Sequence, residues 1–180
     1  MRRYSKLEHV PTKNFKRIGK FFYPVRVRRM RHPEIDYSHP ETIAHVIFCV
    51  ASSQPVFAEE ELAMVAVRAI MAVRAQTRCR IYAYCILPDH IHLLVSPSGQ
   101  GESISDIVGM VKIEINRALN KLGFEKIRWQ RSFYDHVLSE DERDSFAFEA
   151  MVSYILENPV KAGLVKRASD YRFSGVIDQP

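Results

Sequence analysis

Apolar residues along the chain follow two different spacings, and each spacing predicts a different kind of element. Runs rich in β-branched and aromatic residues, bounded by turn residues, are typical of strands. Apolar residues three or four positions apart, with charges between them, are typical of helices that pack on one face. The predicted strands are 42–51 (TIAHVIFCVA), 80–87 (RIYAYCIL), 90–96 (HIHLLVS) and 133–139 (FYDHVLS). The predicted helices are 58–78, 104–122 and 140–158.

The helix predicted over 104–122 carries the clearest apolar stripe. Its apolar residues recur at steps of three or four positions, which places them on one face. Ser103 or Ser105 is suited to cap its start, and Gly123 to end it. Pro159 is expected to end the last helix. The stripe comprises Ile104, Ile107, Val108, Val111, Ile115, Leu119 and Leu122.

The order strand, helix, hairpin, helix, strand, helix predicts an α+β fold. Pro88 and Asp89 separate two strands and indicate a tight turn between them. A mainly antiparallel sheet with helices packed on it, the ferredoxin-like architecture, follows from this order. The strand at 90–96 should be central, because turn signals bound its apolar run at both ends.

Charge divides the chain into two parts of opposite sign. Residues 1–32 hold 11 of the 26 Lys and Arg and one acid, Glu8, giving a net charge of +10. Residues 33–180 carry a net charge of −5, and "HPEIDYSHPE" (32–41) is typical of a linker. We therefore expect a basic arm and linker over 1–40 and one folded domain over 41–180.

The arm interleaves its cations with aromatic residues, a combination suited to phosphate contact and base stacking. The alternative is an arm that aids solubility or packs its aromatic rings on the domain. The arm residues predicted to contact DNA are Arg2, Arg3, Lys16, Arg17, Arg26, Arg28 and Arg29.

Cysteine content and hydropathy argue against a disulfide-stabilised secreted protein and against a membrane-spanning protein. The three cysteines, Cys49, Cys79 and Cys85, form no CxxC pattern and are expected to be free thiols of a reducing compartment. No apolar stretch approaches the roughly 18 residues of a membrane span, and no signal-peptide core follows the basic N-terminus. We therefore expect a cytoplasmic protein without membrane contact.

Two histidines in the strand 90–96 are candidate metal ligands. Side chains alternate along a strand, so His90 and His92 share a face and Ile91 lies on the other. Among seven histidines such a pair arises easily by chance, so the spacing needs support from elsewhere. Tyr154 and Asn158, four residues apart, share a face of the last predicted helix. A tyrosine is a poor nucleophile unless a cation or a base stabilises its phenolate.

Three blocks of sequence carry a family resemblance. In chain order they are "YCILPDHIHLLV", "WQRSFYDHVL" and "YILENPVKAGLV". Together they closely resemble the single-tyrosine HUH transposases, and specifically the REP-associated tyrosine transposases. HUH denotes histidine, hydrophobic residue, histidine. The resemblance runs from about Thr42 to Tyr171 and does not extend to the basic arm.

The resemblance implies a metal-dependent enzyme that cuts and joins single-stranded hairpin DNA. Carried over by position, His90, His92 and Asn158 would hold Mg²⁺ or Mn²⁺, and Tyr154 would be the nucleophile. The product would be a 5′-phosphotyrosine with a free 3′-hydroxyl, without any nucleotide cofactor. Some relatives act as homodimers and others as monomers, so both states stay open.

Several residues admit two interpretations from the sequence alone. Trp129 belongs to the second block but is also typical of a core anchor. Asp135 and His136 point to opposite faces of a strand, so only one of them can face the site. The role of His136 is open: it could lie near the metal, orient a ligand, or serve as structural support. Lys112 and Lys161 are candidate DNA contacts or solvated surface residues.

Two other functions compete with the enzyme. One is a protein that binds hairpin DNA without cutting it. The other is an unrelated metal protein that uses the H-x-H pair, which would leave the arm and the tyrosine block unexplained.

Overall fold

Five strands form an antiparallel sheet, and the strand that carries His90 and His92 lies at its centre. The computed structural model describes residues 15–18, 21–24, 35–138 and 146–179. The strands are β1 Phe15–Ile18, β2 Phe21–Pro24, β3 Ala44–Cys49, β4 Arg80–Leu87, β5 His90–Ser96, β6 Tyr134–Val137 and β7 Ser174–Val176. The helices are α1 Glu60–Thr77, α2 Ile104–Lys121, α3 Phe146–Leu156 and the short α4 Asn158–Lys161. Short 3₁₀ turns cover Ala51–Ser53, Val56–Ala58 and Ala168–Asp170.

Within the sheet the strands lie in the order β6-β3-β5-β4-β7. This arrangement, with the chain order β3, α1, β4, β5, α2, β6, is ferredoxin-like. The α+β fold class predicted from the sequence is therefore confirmed. The predicted central position of the strand at 90–96 is also confirmed.

The two faces of the sheet bury different residues. From β5, Ile91, Leu93 and Val95 join a buried cluster with apolar residues of α1 and α2. On the other face, Leu94 joins a smaller cluster that includes Ile155 of α3. Because side chains alternate, β5 presents its core residues to α1 and α2 and its histidines to the α3 side. Burial of each such aliphatic side chain stabilises the fold by about 1.5–3 kcal/mol.

Helix α2 follows the sequence prediction except at its end. Ser103 caps it: its hydroxyl accepts from the Asp106 N–H, and the Asp106 carboxylate accepts from the Ser103 N–H at 2.9 Å. The predicted stripe is buried except for Leu122, which is 52% exposed. That part of the prediction was wrong, because the helix ends at Lys121 and Gly123 takes a φ of +81°, which turns the chain away.

The last predicted helix is divided in two. Helix α3 ends at Leu156, a turn at Glu157 follows, and Pro159 lies in the first turn of α4. Proline has no N–H to donate to a carbonyl four residues earlier, but it is tolerated in a first turn. The predicted start of this helix, at 140–145, lies outside the described residues.

Two paired elements were not predicted. Strands β1 and β2 form an antiparallel pair within the basic arm, with Lys16 and Arg17 on β1. Arg2, Arg3, Arg26, Arg28 and Arg29 lie outside the described residues. Strand β7 pairs with β4, and its Gly175 lies against the Tyr84 ring, where an added Cβ would come within 3.1 Å of Tyr84 Cε1.

Candidate active site

His90 and His92 face each other on β5, on the side of the sheet that carries α3. Their Nε2 atoms are 3.1 Å apart, and the residues are 6% and 2% exposed. The Pro88–Asp89 turn and the pairing of Leu87 with His90 place both histidines at the start of the central strand. The expectation that they share a face is thus met by a direct contact between the two rings.

Asp89 holds the His90 ring from its other side. The Asp89 carboxylate oxygen Oδ1 lies 2.6 Å from His90 Nδ1, and Asp89 is itself 7% exposed. A carboxylate accepts hydrogen bonds, so His90 carries a proton on Nδ1. Its Nε2 is then the nitrogen directed towards His92 and available to a metal ion.

His45 on β3 is part of the site, although its sequence context gave no usable pattern. Its Nε2 lies 2.9 Å from His92 Nδ1, and the two rings are nearly parallel, at 9°. His45 is 3% exposed, and burial with nearby His136 and His90 lowers its pKa to about 3. Burial likewise lowers the pKa of His92. His136 on β6 pairs with His45 in register.

Tyr154 of α3 packs its ring edgewise against these imidazoles. Its ring centroid lies 5.8 Å from that of His45 and 6.3 Å from that of His92. Burial raises the pKa of the Tyr154 phenol, and nearby Tyr134 raises it further. The structure therefore brings the predicted nucleophile beside the predicted metal ligands, in surroundings that disfavour the phenolate.

Lys161 at the end of α4 supplies a positive charge next to this tyrosine. Its Nζ lies 4.1 Å from the Tyr154 ring centroid. Although the residue as a whole is exposed, desolvation lowers the pKa of its ammonium, and Glu157 opposes that shift. A cation in this position stabilises a negative charge on the phenol or on a nearby phosphate.

Asn158 uses its amide nitrogen to bind the end of α3. The nitrogen donates to the Tyr154 carbonyl at 2.8 Å and to the Ile155 carbonyl at 3.3 Å. These bonds turn the amide oxygen away from the helix, since the two atoms lie on opposite sides of the amide group. The side chain is half-buried and fixed to the backbone of the tyrosine itself.

The histidine pair fits a divalent ion with open positions. Two ligands about 2.1 Å from an octahedral ion and at right angles to each other lie about 3.0 Å apart, close to the spacing of these Nε2 atoms. Within the described ranges, no group of three or more His, Cys, Asp or Glu residues is arranged to hold a metal. Imidazole nitrogens and an amide oxygen, with water or phosphate in the open positions, suit such an ion.

Lys112 and Trp129, two further residues singled out from the sequence, lie on the face of the sheet opposite to the histidines. Lys112 contacts the rings of Phe48 and Trp129, at 5.6 and 5.7 Å, and donates to the Gln130 carbonyl at 3.3 Å. Trp129 packs against Phe48 and Phe57, as a core anchor does. These contacts put Lys112 on the α2 side of the sheet, away from the histidines.

The three cysteines are buried free thiols, as expected. Cys49 pairs in register with His90, and burial raises its pKa to about 12. It is therefore a neutral packing residue beside the site rather than a nucleophile. In the described part of the chain, no helix is both long and apolar enough to cross a membrane.

Comparisons with known proteins place the chain in one family. Residues 38–158 match the family described as "Transposase IS200 like". A REP-associated tyrosine transposase of Escherichia coli is 31% identical over 106 residues, which cover 59% of this chain and 59% of that protein. A candidate REP-associated tyrosine transposase of Haemophilus influenzae is 33% identical over 102 residues, covering 51% and 56%. The matches thus span just over half the length of these relatives.

A solved structure shares the fold. It is of a REP-associated tyrosine transposase bound to a REP hairpin and matches with a TM-score of 0.63 at 23% identity, covering 78% of this chain and 79% of that chain. These findings confirm the resemblance carried by the three sequence blocks. The chain therefore belongs to the family of IS200-like transposases.

Proposed function

We propose that this chain is a metal-dependent enzyme that cuts and joins single-stranded hairpin DNA in the cytoplasm through a covalent tyrosine intermediate. The observation that supports the proposal most strongly is the contact of Tyr154 with His92 and His45 on one face of the sheet. A tyrosine in this position packs against the ring of His92, one of the proposed ligands of the ion. Family membership supports the same reaction class.

The reaction needs one bond to form and one to break. The Tyr154 oxygen attacks the scissile phosphorus, and the phosphorus bond to the 3′-oxygen breaks. The phenol loses its proton to solvent, and the leaving 3′-oxygen takes one up as a hydroxyl. Attack by another 3′-hydroxyl on the phosphotyrosine reverses these steps and joins two strands, so bond energy is conserved.

Each residue of the site has a separate task in this scheme. His90, His92 and the Asn158 oxygen would hold Mg²⁺ or Mn²⁺, which polarises the phosphate when bound. The hydrogen bond from the Asn158 amide to the Tyr154 carbonyl, at 2.8 Å, also fixes Asn158 relative to Tyr154. The Lys161 ammonium lies where it can stabilise the phenolate or the incoming phosphate.

The DNA partner is inferred from charge and family. The arm residues Arg2, Arg3, Lys16, Arg17, Arg26, Arg28 and Arg29 are proposed to bind phosphates, as are Lys112 and Lys161 in the domain. Lys161 is next to the proposed nucleophile, whereas Lys112 is on the other face. We propose that these two lysines meet different parts of the DNA.

The deciding experiment is adduct formation on a denaturing gel. Wild-type protein with hairpin-bearing single-stranded DNA and Mn²⁺ should give a covalent adduct that EDTA abolishes. Tyr154→Phe should bind the hairpin but form no adduct. Tyr37→Phe is the matched control, because it removes the hydroxyl that donates to Asp135, a residue directed towards the opposite face of the sheet.

Binding without an adduct in wild-type protein, with every metal tried, would contradict the proposal. The result would then favour a protein that binds hairpin DNA without cutting it. An adduct that persists in Tyr154→Phe would instead assign the nucleophile to another residue.

A further inference from the structure

The contacts around His92 constrain where protons lie in the site. His92 Nδ1 is 2.9 Å from His45 Nε2, and His92 Nε2 is 3.1 Å from His90 Nε2. Two ring nitrogens at hydrogen-bond distance need one proton between them, because a nitrogen without hydrogen can only accept. Each of these contacts therefore has a donor and an acceptor.

One arrangement satisfies every contact with neutral rings. The Asp89 carboxylate accepts from His90 Nδ1–H at 2.6 Å, which leaves His90 Nε2 as an acceptor. His92 Nε2–H then donates to His90, and His92 Nδ1 accepts from His45 Nε2–H. Asp89, His90, His92 and His45 thus form one directed chain of hydrogen bonds across two strands.

A metal ion on the two Nε2 atoms requires a different arrangement. A ligating nitrogen has no proton, so the proton of neutral His92 must lie on Nδ1. The buried Nδ1–H then needs an acceptor, and His45 Nε2 is the atom in place. His45 must in turn carry its own proton on Nδ1.

We propose that His45 is a positioning residue for His92, donating to its Nδ1 without metal and accepting from it when the metal is bound. Each ring keeps one proton, which moves from Nε2 to Nδ1 by exchange with water, so no proton is gained or lost. The inference rests on the proposed function, in which His92 is a metal ligand. It adds to the proposed metal site a residue from β3 that lies 45 positions before His90 in the sequence.

The packing of His45 suits this role. It is 3% exposed on a buried strand, and its ring lies within 9° of the His92 plane. With Nε2 and Nδ1 2.9 Å apart and the ring centroids 5.2 Å apart, the two rings meet through these nitrogens. A histidine-bound metal typically depends on such a partner, whose loss weakens affinity about 10- to 100-fold.

Two substitutions separate the hydrogen bond from the packing. His45→Phe keeps a flat ring against His92 and Tyr154 but has no nitrogen, whereas His45→Gln places an amide that donates or accepts. We expect His45→Phe to weaken Mn²⁺ binding at least about tenfold, and His45→Gln to stay within about threefold of wild type. The free Mn²⁺ signal in electron paramagnetic resonance measures this affinity. His39→Phe, at an exposed histidine, is the control.

Histidine ¹⁵N spectra of the folded, metal-free variants give a readout independent of metal. In wild type, His92 should be protonated on Nε2, and Mg²⁺ should move the proton to Nδ1. In His45→Phe, His90 Nε2 still accepts from His92 Nε2–H, but the ¹⁵N signal of His92 Nδ1 should move towards that of an imidazole nitrogen without a hydrogen bond, because no donor faces it. Wild-type affinity for Mn²⁺ in a folded His45→Phe, or a metal-free His92 protonated on Nδ1, would overturn the inference.

Failure of the proposed function looks different. If wild type binds no Mn²⁺, or if His92→Phe binds it unchanged, the metal site itself is refuted. The metal-free ¹⁵N spectra still decide whether His45 donates a hydrogen bond to His92 Nδ1.

Discussion

Replacing Lys161 by methionine tests how much the positive charge next to Tyr154 contributes to the reaction. Methionine keeps much of the length of the lysine stem and removes the ammonium. The Tyr154 phenol already has a raised pKa through burial and Tyr134, so little phenolate is present at neutral pH. Loss of the cation should raise the pKa of Tyr154 further and so lower the fraction of Tyr154 present as phenolate.

The size of the effect follows from the distance. Lys161 Nζ lies 4.1 Å from the Tyr154 ring centroid. Two unit charges at about this separation interact by about 1 kcal/mol in water and about 4 kcal/mol at an effective dielectric constant of 20. Since Lys161 is exposed, we expect its ammonium to stabilise the Tyr154 phenolate by about 1–2 kcal/mol. This corresponds to about a tenfold change in the amount of phenolate.

The assay is single-turnover adduct formation at saturating DNA and Mn²⁺ between pH 6 and 8. The rate should rise with pH, because deprotonation creates the nucleophile and the pKa of Tyr154 lies above its ordinary value. Lys161→Met should be about tenfold slower at each pH. Lys161→Arg keeps the charge and should lose little.

A wild-type rate in Lys161→Met would refute a role for this charge in forming the nucleophile. Weaker hairpin binding with an unchanged rate at saturating DNA would instead make Lys161 a phosphate contact alone. The two measurements therefore separate the two tasks.

Three further expectations concern stability and binding. Ile155→Ala, at a fully buried position of α3, should lower the free energy of unfolding by about 2–5 kcal/mol in urea titrations, and Ile113→Ala, at a site 59% exposed, by far less. Arg74 lowers the pKa of Asp178, so Asp178→Asn should lower the urea midpoint at pH 7, and the difference from wild type should shrink as pH falls below the ordinary aspartate pKa. Replacing three arm arginines by glutamine should flatten the slope of log affinity against log salt by about 2 for single-stranded DNA; an unchanged slope would remove the arm from the DNA interface. The three are Arg26, Arg28 and Arg29.

The sequence predicted the elements of the central sheet well, because their signals are local. Strands β4 and β5 match the predicted ranges residue for residue, since Pro88 and Asp89 mark the turn between them. The shared face of His90 and His92 follows from alternation along one strand. The contact of Tyr154 with that face could be expected only from the family resemblance.

His45 could not be found in this way, because its role depends on strand register. It lies diagonally across from His92: its direct partner is Leu94, and His92 pairs with Ile47. No pattern within one strand reveals that relation. A histidine within an otherwise apolar core strand is the one signal the sequence offers, and it gains meaning only once β3 is known to lie beside β5.

Strand β7 was missed for a related reason. Its three residues form a strand by pairing with β4, and Asp178 beyond it accepts from the Ile81 N–H at 2.8 Å and from Arg74. Neither contact has a local signal in "FSGVIDQP". Gly175 marks the position where the strand passes the Tyr84 ring, but a lone glycine more often indicates a turn.

The lengths of the strands also bear on how the protein avoids aggregation. The two outer strands of the sheet, β6 with four residues and β7 with three, are its shortest, while the longest, β4, is covered by β7. Unpaired edges recruit strands from other molecules, and short edges offer few hydrogen-bonding groups to them. A chain that ends before Ser174 lacks β7, so the edge of β4 and its apolar residues would be exposed. Such a protein should form intermolecular β-structure at concentrations where the full chain stays dispersed.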